Sequence, residues 1–410
     1  MDLTRRGFMG AGAAFFAAAA TAADGKNQGG KAPVQGFDEI EGGCDRTKTW
    51  QPFSDRKVRV GIAGYGVCQF GAAFGYQNHP NCEVVSCTDL DPERCKALQK
   101  AVGAPKTYPS CEELIKHAAE DKVEALYVAT DAASHVRLCI MALEHGLHVT
   151  TAVPALLGQD QLEFVPKLLD AVKRSGKVYQ MTETTAFRPQ TFEMRALYEA
   201  GALGEIAYTE GEYFHFGIGK KGGGIGSYKG WRVGLPPQYY PTHSNGFYTC
   251  VTHKRFTEVS CVGLPSTQEC YAAGNNPYGN RFGHEVAFFK CETGASARMT
   301  VAWDLPGYGG ELGRCFGQLG CYRNDRYVGD NNLAKGVQRL RLPLPPGVPG
   351  GGHGGSHGYL TDDFLRAIIL KDHKPCVDVI TALDTTVSGV YAHMSAEKGG
   401  ETLKIPEFSL

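Results

Sequence analysis

The chain has 410 residues, with 42 Lys and Arg against 43 Asp and Glu and a formal net charge of −1. This length predicts two or three domains, and 42% apolar residues is ordinary for a soluble globular protein. A near-neutral charge excludes the basic surface of a dedicated nucleic-acid-binding protein. The 14 cysteines are too dilute for a disulfide scaffold, and no two are spaced as CxxC, which argues against zinc-ribbon and thioredoxin-type sites.

Residues 1–23 are predicted to be an export signal. Arg5 and Arg6 precede an apolar run over 8–20, and small residues at 20–23 supply a cleavage site. The run is too short and too rich in alanine to cross a membrane. The sequence TRRGFM resembles a twin-arginine signal, which predicts a periplasmic or other extracytoplasmic location. An ordinary secretory signal with a chance arginine pair is the alternative.

Residues 24–56 show no clear periodicity and are predicted to form an arm or linker. Strands and helices then alternate over residues 57–183. The predicted strands are 57–63, 83–89, 123–130, 148–151 and 178–181, and the predicted helices are 92–102, 110–119, 134–145 and 158–174. Repeated strand–helix units predict an α/β fold with a doubly wound parallel sheet, in which ligands bind at the carboxyl ends of strands.

A glycine turn follows the first predicted strand, in the context that a dinucleotide-binding fingerprint needs. Gly64 would permit the tight turn, and Gly66 would let the backbone approach a pyrophosphate at a helix N-terminus. The third glycine of G-x-G-x-x-G is replaced by Gln69, and Gly71 comes two residues later. The predicted cofactor contacts in this turn are Gly64, Tyr65, Gly66, Val67 and Gln69.

Asp89 ends the second predicted strand, 25 residues after Gly64. An acid at this position is placed to accept hydrogen bonds from the ribose of adenosine. Since a carboxylate would repel a 2′-phosphate, NAD is favoured over NADP as the cofactor. The alternative is an acid near the N-terminus of the helix that begins at Pro92.

Further side chains lie at or after the ends of later predicted strands, where a cofactor would bind. The predicted contacts are Thr130, His135, Pro154 and Glu183. A residue that orders a loop or caps a helix is the alternative for His135, and a salt-bridged carboxylate is the alternative for Glu183.

The alternation of strands and helices is lost from about residue 184, which predicts a second, α+β domain over 184–410. Its predicted strands lie near 206–214, 258–263, 284–292 and 295–303, and its predicted helices are 191–200, 359–371 and 380–397. Antiparallel strands that cover one face and carry a pocket fit this pattern.

These motifs, in this order, resemble the Gfo/Idh/MocA family of nicotinamide-dependent sugar oxidoreductases. The matching segments are 64–66, 87–94, 128–135, 146–149 and 201–206. The resemblance covers about residues 57–410. It implies an NAD-binding Rossmann domain beside an open, largely antiparallel sheet, and a homo-oligomer that pairs through this sheet.

One tripeptide departs from the family pattern. The family carries Glu-Lys-Pro after the fifth strand, with the lysine near the site of hydride transfer, whereas this chain has Ala152-Val153-Pro154. The departure resembles the branch that includes glycoside hydrolase family 109, which uses bound NAD to cleave glycosides.

The stretch from Gly217 to His253 is rich in aromatic and ionisable side chains of the kinds that form binding and catalytic sites. Aromatic residues and an arginine on a mobile loop suit a carbohydrate pocket, and the predicted substrate contacts are Tyr228, Trp231, Arg232 and Tyr239. The segment Tyr-Pro-Thr-His resembles the catalytic segment of the family 109 branch. By that resemblance Tyr240 and His243 are the catalytic pair, with a purely structural pair as the alternative.

His353 and His357 lie four residues apart, a spacing that would place them on one face of a helix and could bind a metal ion. Five glycines around them argue against a helix, and no third ligand is evident. No metal site is therefore predicted, and a glycine-rich loop beside the substrate is expected instead.

An enzyme outside the cytoplasm has no supply of free NAD, which favours a cofactor that stays bound and returns to its starting state. The predicted function is therefore a glycosidase for a small carbohydrate or glycoside, working by transient oxidation at carbon 3. A sugar oxidoreductase with net hydride transfer is one alternative. A non-catalytic sugar-binding protein is another, because the usual lysine and the third fingerprint glycine are missing.

Overall fold

The computed structural model describes residues 43–216, 230–305 and 310–410. The predicted export signal over 1–23, most of the predicted arm and the predicted substrate contact Tyr228 lie outside the described residues. Within those ranges, helices with the length and apolar character needed to cross a membrane are not found. All 14 cysteines are free thiols, and most of them are buried.

A parallel sheet forms the first half of the described chain and confirms the predicted doubly wound fold. Its strands are β1 (Val58–Ala63), β2 (Cys82–Thr88), β3 (Lys106–Tyr108), β4 (Ala125–Val128), β5 (His148–Thr151) and β6 (Tyr179–Met181). They are ordered β3-β2-β1-β4-β5-β6, and each neighbouring pair is parallel. The strand order reverses between β1 and β4, which opens a crevice at the carboxyl ends of these strands.

Five helices in the described part of this half cover the sheet: α1 (Phe70–Ala73), α2 (Pro92–Val102), α3 (Cys111–Lys116), α4 (His135–Glu144) and α5 (Val165–Ser175). Asp91 caps α2 by accepting hydrogen bonds from the backbone of Glu93 and Arg94, and Pro92 suits the first helical position. The helix predicted over 158–174 begins instead with a 3₁₀ turn at Gln159–Phe164. Strand β3 was not predicted because it has only three residues and is largely exposed.

The second half forms a mostly antiparallel sheet, as predicted, in which β7 and β10 are parallel neighbours. Its elements include α6 (Pro189–Glu199), α7 (Thr242–Thr252) and the strands β7 (Ile206–Phe214), β8 (Phe256–Pro265), β9 (Phe282–Cys291), β10 (Ser296–Ala302), β11 (Gly310–Gly317), β12 (Gly320–Arg323), β13 (Arg326–Gly329) and β14 (Leu403–Lys404). The strand order is β13-β12-β11-β7-β10-β9-β8-β14 among the described residues. Three further helices complete it: α8 (Gly352–Gly355), α9 (His357–Ile369) and α10 (Val379–Glu397).

Helix α7 corrects the prediction of a mobile loop that extends to His253. Every residue of α7 is buried, so its sequence shows no alternation of apolar and polar faces. Some of its polar side chains bond to neighbouring elements; the side-chain amide of Asn245, for example, donates to the carbonyl of Thr385 on α10. Gly211 and Gly313 face each other in the sheet beneath the helix. A Cβ at Gly211 would lie 2.1 Å from the carbonyl oxygen of Ser244, so only glycine lets α7 approach this closely.

Candidate functional site

The glycine turn after β1 has the geometry of a dinucleotide-binding turn with its third glycine displaced. Gly64 has a φ of +106°, and a Cβ there would lie 2.2 Å from the carbonyl oxygen of Ala129. A Cβ at Gly71 would lie 2.3 Å from the carbonyl oxygen of Gly64, whereas a Cβ at Gly66 would meet nothing within 4 Å. Gly71 therefore provides the close packing of helix on strand that the third fingerprint glycine usually provides.

A cavity of about 430 Å³ lies over this turn, at the carboxyl ends of the parallel strands. It is lined by the predicted cofactor contacts Gly64, Gly66, Val67, Gln69, Asp89 and Thr130. Trp231 and Arg232, which were predicted to contact substrate, line the same cavity, with the guanidinium 4.2 Å from the centre of the indole ring. The structure thus places these two side chains on the cofactor cavity.

Asp89 holds the glycine turn in place through its own hydrogen bonds. One carboxylate oxygen accepts from the backbone N–H of Tyr65 at 2.7 Å, and the other accepts from the N–H of Asp91 at 2.9 Å. The guanidinium of Arg94 also donates to Asp89, at 3.2 Å. Asp89 and Arg94 therefore lie together at the position expected for the ribose of adenosine. Tyr65 contributes to the site through its backbone.

His135 joins the ends of two strands. Its ring nitrogens lie 2.9 Å from the carbonyl oxygen of Pro154 and 3.3 Å from that of Thr130. Burial lowers the pKa of His135, so the ring is neutral and donates to one carbonyl at a time. The structure thus gives His135 the loop-ordering role, while Pro154 contributes a backbone acceptor.

The second cluster of functional side chains centres on His243, in the first turn of α7. Nδ1 of His243 lies 2.8 Å from Oε1 of Glu183, and both side chains are almost completely buried. Burial alone lowers the pKa of His243, but the charges of Glu183 and Glu311 outweigh burial and raise the pKa. Burial likewise opposes the charged form of Glu183, but His243 holds the pKa of this carboxyl below its usual value. Glu183 therefore pairs with His243, which matches the salt-bridge alternative for this residue.

Sequence reasoning missed Arg188 and Glu311, which complete the charged cluster. The guanidinium of Arg188 donates to both oxygens of Glu311, at 2.6 and 2.7 Å, and the hydroxyl of Thr185 donates to the same carboxylate at 2.6 Å. Oε1 of Glu311 lies 4.0 Å from Nδ1 of His243. These residues come from a turn and a distant strand, so no local motif in the sequence connects them.

Tyr240 lies beside His243, with ring centres 5.6 Å apart. Burial raises the pKa of Tyr240, although Arg232 opposes this effect, so the hydroxyl keeps its proton at neutral pH. The neighbouring Tyr239 is placed differently, because its hydroxyl accepts from the N–H of Gln159 and its ring packs edge-on against His393. The structure thus brings Tyr240 to His243 and packs Tyr239 into the interior.

The two histidines of the glycine-rich segment are buried beside the same cluster. His353 has a φ of +55° in the irregular turn α8, and His357 begins α9. Nδ1 of His353 lies 3.0 Å from Nε2 of His357, and the rings of His353 and His243 are 5.6 Å apart. The ring of Phe70, which lines the cofactor cavity, is 5.9 Å from that of His353. This contact connects the cavity with the charged cluster.

Three of these side chains have the composition of a metal site. His243, Glu311 and His353 each offer one ligand atom, and the three atoms lie within 4.8 Å of one another. Arg188, however, already holds both oxygens of Glu311. Because this guanidinium compensates the charge of Glu311 and would repel a cation, we keep the metal-free interpretation.

A second buried ion pair anchors the segment that leads to Tyr240. Nδ1 of His393 on α10 lies 2.7 Å from Oε1 of Glu285 on β9. The other oxygen of Glu285 accepts from the backbone N–H of Gln238 at 2.7 Å. The pair therefore fixes the chain two residues before Tyr240.

This pair predicts a pH-dependent contribution to stability. Burial alone lowers the pKa of His393, but the charges of Glu285 and Glu397 outweigh burial and raise the pKa above 6.5. Because the pKa of His393 is higher in the folded state, its ion pair stabilises the fold to the full extent below pH 6.5. This contribution is lost as the pH rises through the folded-state pKa. Denaturant titrations measure the free energy of unfolding. The difference in this free energy between wild type and His393→Gln should become smaller from neutral to alkaline pH. A difference that is constant with pH would contradict this prediction.

Comparison with known families supports the interpretation of the cavity as a dinucleotide site. The Gfo/Idh/MocA family model, described as an oxidoreductase family with an NAD-binding Rossmann fold, matches residues 58–183. Glycosyl hydrolase family 109 protein 1 of Bacteroides thetaiotaomicron is 33% identical over 166 residues, and a family 109 protein of Porphyromonas gingivalis is 32% identical over 166 residues. Each alignment covers 38% of this chain and 34% of the relative, so the similarity spans about a third of each relative.

Solved structures are similar over most of the chain. The scyllo-inositol dehydrogenase from Lactobacillus casei, with bound NAD(H) and scyllo-inositol, superposes with a TM-score of 0.62 at 13% identity, over 85% of this chain and 99% of that one. An oxidoreductase from Agrobacterium radiobacter, in complex with NAD+, L-tartaric acid and magnesium, gives 0.66 at 15% identity, over 85% and 98%. At these identities the likeness establishes the shared fold.

Proposed function

The chain carries a Gfo/Idh/MocA-family NAD-binding Rossmann domain over residues 58–183, and from this premise we propose that the protein is a glycosidase. It cleaves a glycoside by transient oxidation at carbon 3 of the sugar, with a tightly bound NAD that returns to its starting state in each turnover. The observation that carries the proposal is the buried His243–Glu183 pair beside Tyr240, connected through His353 and Phe70 to the cofactor cavity. Such a site can move protons next to a nicotinamide.

The residues of the cavity fit a dinucleotide. Gly66 leaves open space where a pyrophosphate would approach the backbone, and Asp89 stands where the ribose hydroxyls would lie. A dinucleotide held by these residues would supply the acceptor for a hydride from carbon 3 and the donor for its return. Trp231 and Arg232 cover the cavity from the second half of the chain and help to retain the cofactor.

The side chains of the charged cluster supply the proton transfers. His243 carries a proton that its ion pair with Glu183 stabilises. It donates this proton to the oxygen that leaves carbon 1. The hydroxyl of Tyr240 keeps its proton and donates a hydrogen bond to a sugar oxygen. This arrangement differs from that of ordinary glycosidases, which place two carboxylates on either side of the scissile bond.

The apolar tripeptide after β5 supports a redox-neutral reaction. Val153 is buried in the position where the family carries its lysine, so no cationic side chain stands there. The charge available for catalysis comes from the His243 cluster instead. This substitution favours cleavage with a recycled cofactor over a dehydrogenase reaction with net hydride transfer.

We further propose that the protein is exported after folding, with its cofactor bound, on the basis of residues 1–23. A cofactor that is regenerated in place needs no supply of free nicotinamide outside the cytoplasm. This proposal and the recycled cofactor therefore support each other.

The direct test incubates purified protein with a panel of α- and β-linked aryl glycosides and no added nicotinamide. Release of the aglycone, together with NAD recovered after denaturation, is the expected result. Reduction of bound or added NAD by free sugars, without aglycone release, would instead indicate a dehydrogenase. The absence of both activities and of any nucleotide would favour a sugar-binding protein.

Asp89 and Arg94 predict how the protein selects between NAD and NADP. A charged hydrogen bond contributes about 1.5–3 kcal/mol, so Asp89→Asn should weaken NAD binding about tenfold or more. The same change removes the charge that repels a 2′-phosphate and should raise the relative affinity for NADP. The matched change Arg94→Gln should move the preference towards NAD. Calorimetric titration with both nucleotides measures these shifts, and an unchanged preference in both variants would contradict the assignment.

A further inference from the structure

A short segment of the second half of the chain covers the cofactor cavity. The described residues 230–235 form this cover segment; they include a single 3₁₀ turn, at Gly230–Arg232, and otherwise lie outside helices and strands. Trp231 and Arg232 of this segment line the cavity. A cofactor that is recycled in place must not escape between turnovers, so the contacts that hold this segment bear on how well the cofactor is retained.

Side chains of a neighbouring loop hold the backbone of the cover segment. Residues 266–281 connect β8 with β9 and form this clamp loop. The hydroxyl of Tyr278 donates to the carbonyl of Trp231. The side-chain amide of Asn280 donates to the carbonyl of Gly234 at 3.1 Å. Because the cover segment has no strand partner among the described residues, these side-chain donors fix its path.

The cover segment also packs closely at its far end. Gly234 has a φ of +63°, and a Cβ there would lie 2.3 Å from the Cβ of Asn276 in the clamp loop. The indole N–H of Trp303, directly after β10, donates to the carbonyl of Leu235 at 3.1 Å, and both side chains are fully buried. The end at Leu235 is thus held by several contacts, and the end at Trp231 is held by Tyr278.

Tyr278 is in turn supported from the first half of the chain. Its ring packs edge-on against that of Tyr239, with the ring centres 6.1 Å apart. The hydroxyl of Tyr239 accepts from the N–H of Gln159 at 3.3 Å, and a Cβ at Gly158 would lie 2.7 Å from the ring of Tyr239. Gly158 and Gln159 follow β5, so the two tyrosines form an aromatic link from the first half of the chain to the cover segment.

From these contacts we propose that Tyr278 and Asn280 are positioning residues that set how long the cofactor stays bound. They act through Trp231, because the clamp loop holds the backbone that places the indole and the neighbouring guanidinium of Arg232 on the cavity. The inference rests on the proposed function, in which NAD is retained between turnovers. The clamp loop contains none of the residues placed in the proton transfers, so it affects retention of the cofactor and leaves the chemistry unchanged.

The rate at which NAD leaves the purified protein tests this proposal. An added enzyme that hydrolyses free NAD makes release irreversible, and the NAD that remains bound is measured over time. Tyr278→Phe removes one hydrogen bond and keeps the ring, so release should become about 2- to 10-fold faster. Tyr271→Phe is the matched control in the same loop, because the buried hydroxyl of Tyr271 has no hydrogen-bond partner among the described residues. NAD should leave this variant at the wild-type rate.

Two further variants test whether the clamp acts through Trp231. Trp231→Ala removes the indole from the cavity and should make release about 10- to 100-fold faster. In that background Tyr278→Phe should change the rate by less than about 1.5-fold, because its hydrogen bond no longer positions an indole. Asn280→Ala releases the carbonyl of Gly234 and should make release at least about twofold faster.

Denaturant unfolding without cofactor shows whether each variant is folded, and added NAD should restore the activity of Tyr278→Phe to that of wild type. Release from folded Tyr278→Phe that is less than twofold faster than from wild type would overturn the clamp. So would an effect that stays additive with Trp231→Ala, or a loss of activity that added NAD does not restore. Wild type that binds and releases NAD in this way, but cleaves no glycoside, would overturn the proposed function and leave the clamp in place, so the two failures are distinguishable.

Discussion

Replacing His243 with alanine is expected to lower the rate of glycoside cleavage by a factor of about 10² to 10⁴ while bound NAD is retained. His243 supplies the only positive charge that contacts Glu183 among the described residues, and it belongs to the cluster beside the cofactor cavity. Because the glycine turn and Asp89 lie on other elements, the change should leave the cofactor in place. Initial rates with an aryl glycoside and the NAD content after denaturation measure the two effects.

The same change has a cost in stability. It leaves Glu183 buried without its partner, a situation that typically destabilises by about 3–5 kcal/mol. His243→Gln is the matched control, because its amide can donate to Glu183 but cannot transfer a proton. We expect this variant to be folded and as inactive as the alanine variant. Activity of His243→Gln within tenfold of wild type would remove His243 from the proton transfers.

Gly71→Ala is expected to destabilise the protein by about 1–3 kcal/mol and to release NAD. The added Cβ would lie 2.3 Å from the carbonyl oxygen of Gly64 and 3.0 Å from the side chain of Leu98, so α1 must move away from β1. This movement would open the turn that is to hold the pyrophosphate. Denaturant unfolding without cofactor and the NAD content of the purified protein measure the two parts.

Gly66→Ala is the matched control for this substitution. Its Cβ would meet nothing within 4 Å, so the stability without cofactor should stay within about 0.5 kcal/mol of wild type. The affinity for NAD should still fall, since the methyl group would occupy the space in which a pyrophosphate approaches the backbone. Equal stability of Gly71→Ala and wild type would show that Gly71 does not act as the third fingerprint glycine.

The first half of the fold could be predicted because its buried strands alternate with amphipathic helices. The helix at Pro92–Val102 and the strand at His148–Thr151 have the predicted bounds. The second half was harder to predict from the sequence, since α7 is buried on every side and its sequence carries no helical periodicity. Strands β11 to β13 were missed because they are rich in glycine or exposed, features that usually indicate loops.

For the candidate site, single residues could be predicted from motifs but their partners could not. The glycine turn and the Tyr240–His243 segment are local patterns that a sequence shows directly. The pairing of Arg188 with Glu311 joins side chains 123 residues apart, which only the folded chain brings together. The absence of a third fingerprint glycine was likewise resolved only by the structure, in which Gly71 takes up the contact from two residues further on.

The central claim, transient oxidation of the sugar, is tested most directly by cleaving a glycoside in heavy water. A ketone at carbon 3 makes the proton on carbon 2 exchangeable, so the released sugar should carry one carbon-bound deuterium, at carbon 2. Nuclear magnetic resonance of the product locates the label. Deuterium at carbon 2, with no added nicotinamide, is the result that the account predicts. Release of the aglycone with an unlabelled sugar would contradict it, because direct hydrolysis leaves every C–H bond intact.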